Sequence, residues 1–216
     1  MRTRFDAQLA TLNHKLIQMG ALCEETIRLA AQALVKRDAP LAGRVQALSG
    51  ELNQMEREVE NLCLKILLQQ QPVASDLRHI SAALKMITDM ERIGAQAEDI
   101  GEIVTVMNLD ADYDFTLIDE MSRAVTRMVT GSVNAFVSQD VAQARAVADS
   151  DDVVDGYFVK VKSSLIAMIT RSPDEGQDAL DLLMIAKYFE RIGDHAVNIA
   201  QWVVFSVTGT HKGETL

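Results

Sequence analysis

The tetrapeptide Glu-Arg-Ile-Gly occurs twice in this chain, and this duplication limits the possible folds more than any other feature of the sequence. It occupies residues 91–94 and again residues 190–193, which is 99 positions later. Upstream, residues 33–38 (Ala-Leu-Val-Lys-Arg-Asp) match residues 135–140 (Ala-Phe-Val-Ser-Gln-Asp) at an offset of 102. Internal repetition of this kind indicates repeated structural units. The sequence therefore predicts two copies of one unit, with a connection three residues shorter in the second copy.

Each copy contains three stretches in which apolar residues recur with helical spacing. The prolines, which occur only at Pro40, Pro72 and Pro173, lie at breaks between these stretches. The predicted helices span about residues 5 to 38, 41 to 69, 75 to 107, 116 to 138, 141 to 170 and 177 to 207, with Ser75 or Asp76 as the N-cap of the third. Residues 108–114, which are mostly polar, predict a linker. We therefore predict an all-α protein of two tandem, pseudo-symmetric three-helix antiparallel bundles, residues 1–110 and residues 111–216.

The third and sixth predicted helices carry matching apolar stripes, which we expect to form the core. The first stripe contains Ala83, Met86, Ile87, Met90, Ile93, Gly94, Ala97, Ile100, Gly101 and Val104, and the second contains Leu182, Ile185, Ala186, Phe189, Ile192, Gly193, Ala196, Ile199, Ala200 and Val203. We expect Gly94 and Gly193 to let two helix backbones approach closely. Cys23 and Cys63 lie singly among apolar residues, which predicts small core side chains rather than a zinc site or a disulfide.

The formal net charge of −10 argues against a general nucleic-acid-binding protein, since such proteins neutralise phosphates with Lys and Arg. Cations and basic protein surfaces are better partners for this composition. The first residues lack the apolar segment of a signal peptide, and no apolar run approaches the roughly 20 residues that span a bilayer. We therefore predict a cytoplasmic protein with no membrane insertion.

Two pairs of acidic residues flank the apolar faces of the last two predicted helices. Glu190 and Asp194 are four positions apart, as are Asp151 and Asp155, and both pairs flank their stripe in the same rotational sense. On antiparallel neighbours, such pairs turn either toward one shared groove or both away from it. The first arrangement gives a four-carboxylate site, which Asn198 would extend by one turn, and the second gives solvated acids.

A hard cation with oxygen ligands would offset the repulsion within such a cluster, and magnesium, manganese, calcium and iron are the candidates. The counterpart positions in the first copy are Ser49, Asn53, Glu91 and Ala95. Nearby acids that could add a weaker patch are Asp89, Glu98 and Asp99. Because only one carboxylate remains at the counterpart positions, we expect an ion site in the second half.

The sequence resembles the PhoU family of bacterial phosphate-signalling proteins in three features taken together. These are residues 183–199, which contain the second Glu-Arg-Ile-Gly, residues 71–78 (Gln-Pro-Val-Ala-Ser-Asp-Leu-Arg), and the twofold repeat. The resemblance implies two three-helix bundles and, commonly, a homodimer. It also implies a negative regulator of the phosphate-starvation response and of phosphate uptake. Such a regulator would act as an adaptor between the ATPase subunit of the phosphate ABC transporter and a membrane sensor histidine kinase.

The resemblance also bears on metal binding. Some members of the family carry multinuclear iron or zinc clusters on paired Glu/Asp-x-x-x-Asp motifs, and others are described with magnesium or manganese, or with no metal. Carried over by position, the residues that keep the acidic pattern are Asp151, Asp155, Glu190 and Asp194, with Glu91, Asp99 and Asn198 as further candidates. Ser49, Asn53 and Ala95 depart from the pattern in the first copy.

Two other classes of protein compete with a regulatory adaptor. A carboxylate-bridged metal enzyme or metal-storage bundle requires Glu-x-x-His pairs, which the sequence lacks; its closest spacing joins Asp76 to His79, which we interpret as an ordinary surface or half-buried histidine. His195 is the only histidine near the acidic pairs, but it is adjacent to Asp194. Adjacent side chains diverge by about 100° on a helix, so we do not expect His195 and Asp194 to bind the same ion. A coiled-coil scaffold requires heptads that continue across the proline breaks, and the apolar seams of this sequence do not continue across them. Since phosphate-binding loops and nucleophile motifs are also absent, we predict that the protein is not an enzyme.

Overall fold

The computed structural model describes residues 2–107, 113–211 and 214–215, and it is almost entirely helical. The helices are α1 (Arg2–Lys36), α2 (Ala39–Gln70), α3 (Ser75–Val106), α4 (Thr116–Ser138), α5 (Val141–Asp149), α6 (Asp151–Arg171) and α7 (Gly176–Thr208). A 3₁₀ turn at Pro173–Glu175 precedes α7, and strand β1 (Thr210–His211) pairs with β2 (Glu214–Thr215) in antiparallel fashion. The predicted boundary between residues 110 and 111, and residues 108–112 of the predicted linker, lie outside the described residues.

The second helix of each repeat begins at an aspartate that caps it. Asp38 Oδ1 accepts a hydrogen bond from the backbone N–H of Leu41 at 3.1 Å, and Asp140 Oδ1 accepts one from the N–H of Gln143 at 3.0 Å. A side-chain oxygen at this position satisfies an amide that has no partner within the helix. Asp38 and Asp140 are related by the offset of 102, so the same local signal reverses the chain in both repeats.

The N-cap predicted for α3 is wrong. Ala74, with φ 49° and ψ −118°, is the capping residue, and no side chain makes a cap hydrogen bond there. Ser75 is instead the first helical residue. Backbone carbonyls replace the expected side-chain acceptor, since the N–H of Asp76 bonds to Val73 O at 3.2 Å and the N–H of Arg78 bonds to Ala74 O at 3.1 Å.

The fifth predicted helix is interrupted at Ser150, which divides it into α5 and α6. Ser150 has φ −77° and ψ −7°, and its N–H bonds to the carbonyls of both Ala146 and Val147. Its hydroxyl donates to Val147 O at 2.6 Å. A serine hydroxyl that bonds back to a carbonyl competes with the regular helical pattern and bends the chain. Asp151 consequently becomes the first residue of a new helix.

The three helical stretches of each repeat pack around its own apolar stripe, and the two repeats join along two seams, α3 on α7 and α1 on α4. Every residue of the two predicted stripes is buried, which confirms the core assignment. One hydrophobic core runs through both repeats, with Phe136 and Phe189 as its largest fully buried side chains. Within the described residues, no helix is long and apolar enough to cross a membrane.

Glycines at equivalent positions of α3 and α7 make room for side chains of the preceding helix. A Cβ atom at Gly94 would lie 2.6 Å from Leu52 Cδ1, and one at Gly193 would lie 3.5 Å from Val154 Cγ1. Leu52 and Val154 are themselves related by the offset of 102. Each glycine is therefore a hole that a branched side chain of the preceding helix fills, so the second and third helices of both repeats pack in the same register.

Both cysteines are buried core residues, as predicted. Cys23 Sγ donates a hydrogen bond to the Met90 carbonyl at 3.4 Å, which ties α1 to α3. Burial raises the pKa of the Cys23 thiol well above its usual range and that of Cys63 to about 12. Because the thiolate is the reactive and metal-binding form, both groups are inert at neutral pH.

Candidate functional site

Of the four acidic residues predicted on α6 and α7, Asp151 turns toward α7, because its Oδ1 would lie 3.2 Å from a Cβ at Gly193. Burial raises the pKa of Asp151 to about 6, and the nearby negative charges of Asp155, Asp194 and Glu190 contribute to the shift. Burial also raises the pKa of Asp194, with Glu190 as the next cause. Of the two orientations left open by the sequence, Asp151 thus takes the one toward the groove between α6 and α7, where the charges of Asp194 and Glu190 act on it. We call Asp151, Asp155, Glu190 and Asp194 the acidic quartet.

A lysine already balances part of the charge of the quartet. Lys187 Nζ donates to Glu190 Oε2 at 2.5 Å, and it also lies 5.6 Å from the centroid of the Phe158 ring. Its positive charge opposes the rise in the pKa of Asp194. In the groove itself, the missing side chain of Gly193 leaves room for Asp151, because a Cβ there would lie 3.2 Å from Asp151 Oδ1.

Carboxylate oxygens are the donors that hard cations prefer, so the chemistry of the quartet suits such an ion. Its geometry is more open than that of a formed metal centre. Across residues 2–107 and 113–211, no group of three or more His, Cys, Asp or Glu side chains lies close enough together to hold a metal ion. The quartet is thus a patch of mutually repelling acids in which Asp155 and Asp194 are exposed to solvent and Asp151 and Glu190 are half-buried.

The amide of Asn198 is engaged by the first repeat. Asn198 Nδ2 donates to Asp89 Oδ1 on α3 at 3.4 Å. This places one end of the side chain at the seam between α3 and α7, although Asn198 also borders a small surface cavity of about 370 Å³ together with Asp194 and His195. The predicted extension of the quartet by Asn198 therefore competes with an existing contact between the repeats.

In the first repeat, the positions equivalent to the quartet carry one carboxylate and are otherwise uncharged. Ser49 is buried, and Asn53 Nδ2 donates to its carbonyl at 3.4 Å, which leaves Glu91 as the one carboxylate at these positions. Burial and the charge of Glu56 raise the pKa of Glu91, while Arg92 and His195 oppose the rise. Burial and then Glu102 and Glu98 raise the pKa of Asp99, which Arg191 opposes.

A contact between the repeats joins two residues that the sequence interpretation did not pair. Asp89 on α3 and His195 on α7 are both nearly buried, with side chains 11% and 12% exposed, and His195 Nδ1 lies 2.9 Å from Asp89 Oδ1. The sequence predicts only a weak acidic patch around Asp89, and it shows His195 only as the neighbour of Asp194. A buried charged group requires such a partner.

Comparison of the two copies in the sequence indicates the polar set formed by Asp89, His195 and Asn198. At the offset of 99, the residues that match Asp89, His195 and Asn198 are Tyr188, Gln96 and Asp99. All six positions are polar although they border the apolar stripe. In the second set, Asp99 on α3 and Tyr188 on α7 lie near enough for the charge of Asp99 to contribute, after burial, to the raised pKa of Tyr188. Polar residues that recur at equivalent positions beside a core stripe thus mark the seam between the repeats.

His79 is buried, so its interpretation as a surface or half-buried residue is wrong. Its ring stacks on that of Phe136 with centroids 4.3 Å apart, and Nε2 lies 3.3 Å from Asn13 Oδ1. Burial lowers the pKa of His79. The end of α4 covers this residue, and no pattern near His79 in the sequence indicates that contact.

Two parts of the chain match one family model. The model, described as PhoU domain, matches residues 16–104 and again residues 118–203. A protein from Clostridium acetobutylicum, named phosphate-specific transport system accessory protein PhoU homolog, is 30% identical over 210 residues, which covers 96% of both chains. A Pseudomonas aeruginosa protein of the same name is 32% identical over 209 residues, which covers 96% of this chain and 86% of that protein.

Solved structures agree with the fold. The crystal structure of PhoU from Pseudomonas aeruginosa superposes with a TM-score of 0.89 at 32% identity and covers 95% of this chain and 100% of that one. The phosphate transport system regulatory protein PhoU from Streptococcus pneumoniae gives a TM-score of 0.88 at 24% identity, which bears on the fold alone. The predicted all-α architecture with two repeated units is thereby confirmed.

Proposed function

This chain belongs to the PhoU family, and from that premise we propose that it is a negative regulator of the phosphate-starvation response and of phosphate uptake. The observation that carries the proposal is the extent of the match, which covers 96% of this chain and 96% of a relative named as a phosphate transport accessory protein. Both repeats contribute to the match. The relatives are named accessory or regulatory proteins rather than enzymes, in agreement with the prediction from sequence.

The action we propose is that of a cytoplasmic adaptor, a homodimer that binds the ATPase subunit of the phosphate ABC transporter and a sensor histidine kinase. Two features support an adaptor. The repeats are fixed to each other by buried seams, and their surfaces differ although their cores agree, as the acidic quartet of the second repeat illustrates. A rigid body with two unlike faces can hold two different partners at a fixed separation.

Deletion of the gene in the host tests the regulatory role. In phosphate-rich medium we expect transcripts of phosphate-uptake genes to rise, and we expect the wild-type gene supplied in trans to restore repression. Unchanged expression in the deletion strain would contradict the proposal. The adaptor role is tested separately by retention of the tagged chain's partners from phosphate-replete cells. If neither the transporter ATPase nor a sensor kinase is retained, the adaptor role is refuted. The regulatory role is not affected by that result.

We also propose that the acidic quartet binds a divalent or ferric cation, with magnesium, manganese, zinc or iron as candidates. The observation in favour is the position of Asp151, whose Oδ1 would lie 3.2 Å from a Cβ at Gly193, between Glu190 and Asp194 in the sequence of α7. Burial, and then the negative charges of Asp155, Asp194 and Glu190, raise the pKa of Asp151 to about 6. The residues that would hold the ion are Asp151, Asp155, Glu190 and Asp194. A bound cation would neutralise this repulsion and hold α6 against α7.

Elemental analysis of purified protein decides the cation proposal. We expect metal in the wild-type protein and its loss in Glu190→Ala and Asp151→Ala. Asp174→Ala, which removes an exposed acid from the 3₁₀ turn outside the quartet, is the matched control and should keep its metal. Equal metal content in all four proteins, or none in any of them, would refute the proposal.

A further inference from the structure

The seam between α1 and α4 is closed at one end and open at the other. At the closed end Val133 packs over Gly20, where a Cβ would lie 3.2 Å from both Val133 γ-carbons. The offset of 102 relates Gly20 to Ser122 and Val133 to Ala31, so the equivalent pair at the other end is Ala31 with Ser122. Both are buried and small. Neither member of this pair has a side chain of valine size, and among the described residues a groove remains between the helices.

The open end of the seam is a continuous groove. Two adjoining cavities of about 440 and 480 Å³ share Ala31 and Arg123 in their linings. Along α1 the lining runs from Glu24 to Lys36, which corresponds to about 18 Å at 1.5 Å per residue. A segment of five or six extended residues has about this length, whereas an inorganic anion would fill only a small part of it. We call this cleft the α1–α4 groove.

Basic residues outnumber acidic ones around the groove although the chain as a whole carries a charge of −10. Its charged lining consists of four basic residues, Arg28, Arg123, Arg127 and Lys36, and three acidic ones, Glu24, Asp114 and Asp119. Two of the basic residues make ion pairs within their own helices, Arg123 with Asp119 at 2.7 Å and Arg28 with Glu25 at 3.8 Å. Both pairs are exposed, so they contribute little to the stability of the fold. The floor is apolar, and Val35 is 44% exposed there. The groove thus combines a small excess of positive charge, on a protein that is acidic as a whole, with an unfilled apolar floor.

We propose that the α1–α4 groove binds an acidic segment of a partner protein. An apolar side chain of that segment enters between Ala31 and Ser122, and its carboxylates pair with Arg123 and Arg127. Charge complementarity carries this choice, because guanidinium groups recognise carboxylates through paired hydrogen bonds and steer acidic partners during association. The inference deepens the proposed adaptor function and rests on it for the existence of a protein partner.

A display library of random 12-residue peptides, selected on the full-length chain, tests the proposal. The matched reference is the double variant Ala31→Val/Ser122→Gly, which copies the closed end of the same seam into the open one. We expect acidic peptides with an apolar residue to be enriched on the wild-type chain and not on the double variant. Circular dichroism establishes that the variant is folded. Enrichment of the same peptides on both proteins, or of no acidic peptides at all, would refute the proposal.

Fluorescence anisotropy with the selected peptide then measures the role of the basic residues. We expect Arg127→Glu to weaken binding at least about tenfold, as loss and reversal of one charged contact does. Lys162→Glu, which makes the same change of charge at an exposed position of α6, should bind as the wild type does. Equal loss in both variants, or displacement of the peptide by millimolar inorganic phosphate, would overturn the assignment to an acidic segment. Deletion phenotypes in the host do not depend on this result, so the regulatory proposal stands or falls separately.

Discussion

His195 Nδ1 lies 2.9 Å from Asp89 Oδ1, and this contact joins α7 of the second repeat to α3 of the first. Asn198 donates to the same oxygen at 3.4 Å. The two side chains of the pair are almost buried, in contrast to the exposed pair of Arg123 and Asp119, whose side chains are 70% and 37% exposed. Because of this difference in exposure, we expect the two pairs to contribute differently to the free energy of unfolding.

We expect Asp89→Ala to lower the free energy of unfolding by about 1–3 kcal/mol, because it leaves His195 and Asn198 without their buried acceptor. Urea denaturation measures the change. Asp119→Ala, which breaks the exposed pair, is the control and should cost less than about 1 kcal/mol. Combination of Asp89→Ala with His195→Ala should cost less than the sum of the two single changes. Strict additivity would mean that the 2.9 Å contact contributes nothing.

We expect Asp151→Asn to stabilise the protein above about pH 7 and to have little effect below about pH 4. The pKa of Asp151 is raised from 3.8 to about 6, so the folded state holds this proton more tightly than the unfolded chain does. The resulting contribution to stability is complete below pH 4 and is lost as the pH rises through about 6. Once solvent screening is allowed for, the gain in the Asn variant at neutral pH should be about 1 kcal/mol.

Unfolding of Asp151→Asn by urea at several pH values, in metal-free buffer, checks this prediction. Asp152→Asn removes a charge from the same helical turn and controls for the effect on the helix dipole. A larger gain for Asp152→Asn than for Asp151→Asn would contradict the account. Added cation should reverse the order of stability of Asp151→Asn and wild type if the quartet binds it.

We expect Gly94→Ala to destabilise the protein by about 1–3 kcal/mol, because the new Cβ would meet Leu52 Cδ1 at 2.6 Å in a packed core. Gly50→Ala lies on α2 with no atom within 4 Å of its Cβ position and should instead stabilise by about 0.5–1 kcal/mol. Thermal unfolding distinguishes the two. In a Leu52→Val background the penalty for Gly94→Ala should shrink, and an unchanged penalty would show that Leu52 is not its cause.

We expect the protein to lose stability as the pH falls through the usual pKa of histidine, about 6.5. Burial lowers the pKa of His79, so its contribution to stability is complete above that value and is lost as the unfolded chain takes up the proton. In His79→Gln, the difference in unfolding free energy between about pH 7.5 and pH 5.5 should be smaller than in the wild type. His14→Gln, at an exposed position of α1, should keep the wild-type difference.

Much of the fold could be predicted because local patterns encode it. Apolar residues that recur every three or four positions define which face of a helix is buried, and all twenty residues of the two stripes are buried as expected. Asp38 and Asp140 cap helices through contacts three residues away, which the sequence displays directly. The break at Ser150 was missed because a hydroxyl that bends one helix is a solvated surface group in another.

The candidate site could be predicted only in part. The spacing of Asp151, Asp155, Glu190 and Asp194 placed each pair on one flank of a helix, but whether the pairs face each other depends on the rotation of α6 against α7. Likewise, Asp89 and His195 are 106 residues apart, and their contact exists because α3 and α7 cross at the seam. Neither relation is a property of any short stretch of sequence.

The sequence by itself determined two copies of a helical unit, their core faces and the difference between their acidic positions, since repetition, periodicity and residue identity are all local. Tertiary structure alone decided how the copies meet. Gly20 beneath Val133 closes one end of the α1–α4 seam, and Ala31 opposite Ser122 leaves the other end open. The physical reason is that close packing depends on the volumes of side chains from distant segments together, and those volumes come into contact only when the helices have packed.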